Sequence, residues 1–104
     1  MAQFDVYENQ NPETKATIPY LLDLQADLLD NLATRVVVPL ITVTAMSKAA
    51  KNLNPQFKIK RITVIMSTAE LAGVHLHVLG DKVCSLKEHR TEIIAALDFL
   101  FTGF

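Results

Sequence analysis

The sequence has one cysteine, Cys84, so no intramolecular disulfide can hold it together; this fits a reducing compartment. It has no surplus of positive charge, with ten Lys and Arg against eleven Asp and Glu and a net charge of −1. Phosphate backbones draw on concentrated positive charge, which argues against nucleic acid as the main partner. Long hydrophobic runs are missing too. "VVVPLITVTAM" and the carboxy-terminal stretch both fall short of the ~20 apolar residues that cross a bilayer. "MAQFDVYENQ" lacks the basic-then-apolar build of a secretory signal. A cytoplasmic protein with no membrane partner is therefore expected. There are no internal repeats and no low-complexity tract. What is there is 104 residues, 50% hydrophobic and 20% charged, the mixture of an ordinary globular chain. The length predicts one domain over 1–104, burying about 65% of its unfolded surface without a staple.

Alternation predicts strands in "QFDVY", with Phe4 and Val6 on one face and Asp5 and Tyr7 on the other, and in "IPYLLDLQ". Between them "ENQNPETKAT" reads as a long polar hairpin loop of the functional or mobile kind. "ADLLDNLATR" is ambiguous, with Leu28, Leu29 and Leu32 at helical spacing but no room for a long helix. "RVVVPLITV" predicts a strand buried on both faces, with Pro39 at an edge or bulge. "AMSKAAKNLNP" predicts a short helical turn, "QFKIK" and "ITVIMST" strands, "ELAG" a turn closed by Gly73, and "VHLHVLG" a strand. Ser85 and Glu88 have the S-x-x-E spacing of a capping box. Beyond it, Leu86, Ile93, Leu97, Leu100 and Phe104, joined by Ile94 and Phe101, predict a helix of about four turns stopped at Gly103. The plan is a mostly antiparallel β-domain with one carboxy-terminal helix.

The chain finishes on "DFLFTGF", where a soluble protein normally frays into polar residues. Large apolar side chains left uncovered signal a partner, since covering one Phe is worth roughly 1.5–3 kcal/mol. Leu97 and Leu100 are expected to pack on the sheet instead, by their periodicity.

The stretches "QFDVYEN", "DLQADLLDNLATRVVVPL", "VLG" and "EIIAALDFLFTGF" together resemble the CcdB family over essentially the whole chain. The specific pattern is D-x-Q-x-D-hydrophobic-hydrophobic-D, then R-x-hydrophobic-hydrophobic-P-L, then a terminal Gly-hydrophobic. The resemblance implies an SH3-like barrel of the CcdB/Kid/MazF toxin type and a homodimer. It implies a plasmid-type toxin of a type II toxin–antitoxin system, an inhibitor rather than an enzyme, with no cofactor. Its members wedge their helix tails into the DNA gyrase A subunit and trap the cleavage complex. A CcdA-like antitoxin removes them, and nucleic acid enters only indirectly, when the antitoxin complex autoregulates transcription.

Carried onto this chain, the gyrase-binding set implied by the resemblance is Leu28, Leu29, Asp30, Arg90, Thr91, Ala95, Asp98, Phe101, Thr102, Gly103 and Phe104. Leu28 and Leu29 serve equally well as a core turn. Asp98 stands where relatives have Asn; a carboxylate in the last turn opposes the helix dipole, which hints at use. Well-known members carry Trp at Thr102 and Ile at Phe104. Thr cannot stack on a guanidinium as Trp does, so Phe101 or Phe104 is expected to supply that surface. "KIKR" reads as a solvated hairpin tip where relatives often have an acidic, Gly-containing turn; the reversal bears on which antitoxin is recognised. His75 and His77 lack a third ligand in a recognisable arrangement for zinc. Cys84 has no assigned base and reads as a bystander.

Two alternatives stand beside the gyrase reading. One is a diverged relative that binds antitoxin without poisoning gyrase. The other is a Kid/MazF-like endoribonuclease, since a fold does not fix a function, for which Arg35, Arg61, His75 and His77 are the only plausible parts. The dimer interface is expected from the hydrophobic strands and the base of the last helix.

Overall fold

The computed structural model describes residues 2–46, 48–50 and 52–103. Seven strands form a curled half-barrel, followed by a carboxy-terminal helix. They are β1 (Asp5–Asn9), β2 (Tyr20–Asp23), β3 (Thr34–Thr42), β4 (Gln56–Ile59), β5 (Ile62–Met66), β6 (Ala72–His75) and β7 (Leu79–Ser85), then α1 (Arg90–Thr102). All pairings are antiparallel, in the order β4-β5-β3-β2-β1-β7 with β6 also on β3.

β3 organises the sheet. One edge pairs with β2, Tyr20 opposite Leu40. The other takes two strands end to end: β6 along Thr34–Val37 and β5 along Leu40–Thr42. Pro39 falls between them. By the alternation of a strand, its missing N–H faces the gap, where no ladder bond is lost. Its carbonyl accepts from the Ser67 N–H at 3.0 Å.

The sheet is buried on both faces at β1–β3, which is why these strands read as nearly continuous apolar runs. Val6, Leu22, Leu24, Val38 and Leu40 face the main core with Phe57, Val64, Met66 and the helix residues Ile93 and Ala96. Tyr7, Leu21 and Val37 face a second cluster with Leu79. Val36 is the exception in the valine run, standing partly exposed. At Gly80 a Cβ would meet the Glu8 carbonyl oxygen at 2.9 Å, so β7 crosses β1 too closely for any side chain there.

Several local expectations give way to tertiary contacts. β1 starts at Asp5 because Phe4 turns left-handed (φ 70°) to keep its ring in the core. The polar loop is ordered by Asn9, whose side-chain amide reaches Thr14 Oγ1 and the Ile18 carbonyl. Residues 45–55 make isolated turns and no helix among those described; Ser47 and Lys51 of that stretch lie outside them. Gly73 is inside β6 and closes no turn; the turn is the single 3-10 segment Thr68–Glu70. "VHLHVLG" is split by a 3-10 segment, Leu76–Val78, so His75 and His77 meet as tilted rings with centroids 4.3 Å apart instead of lining one face of a continuous strand. The Ser85–Glu88 box does not cap α1. Ser85 Oγ takes the Lys87 N–H, a 3-10 turn covers Lys87–His89, and the helix proper begins at Arg90. Its end is as expected, with Gly103 at φ 80° and its N–H on the Phe99 carbonyl.

The second face becomes polar beyond Tyr7. Tyr7 Oη lies 3.4 Å from Asp5 Oδ2, and Lys82 Nζ is 3.4 Å from Asp5 Oδ1. Burial, then the Asp5 and Asp23 charges, push the Tyr7 phenol from its ordinary 10.0 to about 12. The folded value is the higher one, so the stability linked to this phenol is intact below pH 10.0 and is lost as pH rises through about 12. An absorbance titration of the folded chain is expected to show a tyrosinate step near pH 12 that Tyr7→Phe removes.

Candidate functional site

The polar motif in the first third of the chain is a strut. Arg35 and Asp23 are both fully buried on the second face of the sheet. Arg35 Nε donates to Asp23 Oδ2 at 3.1 Å, its Nη2 donates to the same oxygen, and its Nη1 donates to Asp30 Oδ1 at 2.9 Å. Burial lifts the Asp23 carboxyl above its ordinary value against the pull of Arg35. Burial also opposes the charge on Arg35, but the hydrogen bond and charge of Asp23 more than offset this and keep it protonated. Gln25 completes the frame: its side chain donates to the Leu29 carbonyl at 2.9 Å and accepts from the Val36 N–H at 3.1 Å. On the far side, Asp27 Oδ1 accepts the Gln3 N–H at 2.7 Å.

These bonds hold a single 3-10 turn, Asp27–Leu29, away from the sheet with no buried residue in it. Leu28 is 94% exposed, so the core-turn reading of this residue is wrong; Leu29 is half-exposed. Across from the turn runs the last part of α1. Leu29, Leu32, Val36, Leu71, Leu97 and Phe101 line a mostly apolar groove of about 430 Å³ between them. Phe101 stands at its wall 70% exposed. Leu97 packs partly on the core, as its periodicity requires.

The residues implied by the resemblance thus separate into three places. Leu29 and Phe101 share the groove, with Leu28 beside it and Asp30 under the turn. Thr91, Ala95, Asp98 and Thr102, at spacings of four, three and four, form one exposed stripe along α1. The Thr102 hydroxyl is turned back to the Asp98 carbonyl at 2.6 Å, and Gly103 is exposed just past it. Arg90 lies a helix length away, in a polar cleft with Lys82, Ser85 and Lys87. Phe104 lies outside the described residues.

Sequence reasoning missed Leu32, Val36 and Leu71 as groove walls, and Asp23 and Gln25 as the strut. The signal was present in the polar residues at 23, 25, 30 and 35, two of them in otherwise apolar strands, where an unpaired charge is not tolerated.

The parts named for RNA cleavage do not meet. Arg35 is sealed in the interior. His75 pairs opposite Thr34 at one end of β3, while Arg61 precedes β5, which pairs at the other end. A strand of that length separates them by on the order of 25 Å. Among the described residues no group of three or more His, Cys, Asp or Glu is placed to hold a metal ion, and no helix is long and apolar enough to cross a membrane.

A family model described as CcdB protein matches residues 3–103. Among solved structures, an endoribonuclease in complex with its cognate antitoxin, from a mycobacterial species, superposes with a TM-score of 0.73. It is 16% identical, over 94% of this chain and 91% of that one, a likeness of fold.

Proposed function

The chain belongs to the CcdB family of toxin–antitoxin toxins, and from that premise we propose that it poisons DNA gyrase in the cytoplasm as a homodimer. The contact with the gyrase A subunit is made by the helix tail from Asp98 onward together with the Leu28–Leu29 turn. A CcdA-like antitoxin reverses it. One observation carries the reading: Phe101 is left 70% exposed on the wall of an apolar groove whose other side is a turn propped open by buried polar residues. A monomer with no use for that surface would close it. Thr102 has no ring and its hydroxyl turns back to the Asp98 carbonyl, so the stacking surface that relatives take from Trp falls to Phe101.

The test is a supercoiling and cleavage-complex assay with purified gyrase, comparing the full chain with one lacking Thr102 to Phe104. The full chain is expected to trap cleaved DNA and the shortened chain to fail. Equal potency of the two discards the tail as the contact. Cleavage of RNA by the full chain, with gyrase untouched, moves the endoribonuclease reading ahead. Antitoxin binding with neither activity identifies a diverged relative.

A further inference from the structure

The β4–β5 hairpin carries a conflict between backbone and side chain. Ile59 pairs with Ile62, so Lys60 and Arg61 alone make the loop. Both are left-handed, with φ 47° and 71°. Two consecutive left-handed residues are the geometry of a type I′ turn, which favours Asn-Gly. A Lys-Arg pair is strained there, and strain at a surface turn is kept when the side chains are used.

The surroundings indicate the use. Lys58, Lys60 and Arg61 are all exposed. Among the described residues none of them has an acidic partner within ion-pair distance, whereas Lys82 is paired with Asp5 and Arg35 with Asp23 and Asp30. Beside the loop stands one exposed aliphatic side chain, Ile62, which opens β5 directly after Arg61. Cations at the tip with an aliphatic group at its base suit a polypeptide that carries both carboxylates and apolar residues. A nucleic acid would call for a longer cationic track and an exposed ring for base stacking, and the nearby Phe57 is buried.

We infer that the Lys58–Arg61 tip docks an acidic, aliphatic-bearing segment of the antitoxin. Naming the antitoxin rests on the function proposed above; the charge and shape of the segment do not.

The experiment titrates a purified full-length antitoxin of the CcdA type into the full chain and two variants by calorimetry. The double variant K60N/R61G gives the loop its preferred residues and removes two charges. The variant K58E keeps the loop and reverses one charge. K60N/R61G is expected to raise Tm by about 5 °C, since strain is relieved. It is also expected to weaken antitoxin binding by about 5- to 10-fold at low salt, with the difference closing at high salt. K58E is expected to weaken binding in the same direction. Gyrase poisoning without antitoxin is expected to stay unchanged in both. Equal antitoxin affinity for all three proteins overturns the inference and leaves the toxin reading standing. An unmodified chain that does not bind antitoxin at all overturns the toxin reading and the naming of the partner with it. Loss of binding to a labelled duplex DNA or single-stranded RNA, with antitoxin binding intact, overturns the inference in favour of a nucleic acid.

Discussion

Phe101→Ser is expected to weaken gyrase poisoning by roughly 10- to 100-fold, the equivalent of leaving one Phe uncovered at an interface. Its thermal stability is expected to change little, because the ring is 70% exposed in the subunit and contributes little to its core. The pairing of outcomes matters. A core residue of α1 such as Ile93, fully buried against the sheet, would lose both stability and potency on truncation. Measuring Tm beside the cleavage-complex yield therefore separates a binding surface from a packing one. A Phe101→Ser protein with full potency would remove Phe101 from the contact.

Arg35→Met is expected to be strongly destabilising, costing about 3–5 kcal/mol, because it leaves the Asp23 carboxylate buried without its countercharge. For a chain of this size each kcal/mol shifts Tm by about 4–8 °C, so thermal denaturation detects it easily. Replacing both partners, as in D23L/R35M, is expected to recover most of the loss, since the buried pair then gives way to apolar packing. The recovered fold still lacks the hold of Arg35 on Asp30, and with it one support of the Leu28–Leu29 turn. Poisoning by D23L/R35M is expected to remain about tenfold weaker, the scale of one hydrogen bond to a charged group. If the double variant is stable and fully potent, the network serves stability alone.

The sheet was legible because its strands alternate or run apolar for long enough to decide the matter, and β3 stood out by its β-branched content. The places where the local pattern misled share one cause. At "VHLHVLG" and at Ser85–Glu88 the residues suit a strand and a helix cap, but the chain must turn back there so that β7 can reach β1 and α1 can cross the half-barrel. Long-range pairing overrode local preference in both. The apolar tail was visible in the sequence, but that Phe101 belongs to a binding surface was implied only by the resemblance. The wall opposite it was not visible, because Leu32, Val36 and Leu71 come from three separate segments that only the β3–β6 pairing assembles.

That β1 pairs with β7 also sets the order in which the molecule can be made. β1 must wait for β7, so the platform under α1 is complete only once that strand has been made. Contacts so distant along the chain form slowly and leave partly built sheets exposed meanwhile. Until then the open edge of β1 is available to any chaperone or strand able to pair with it.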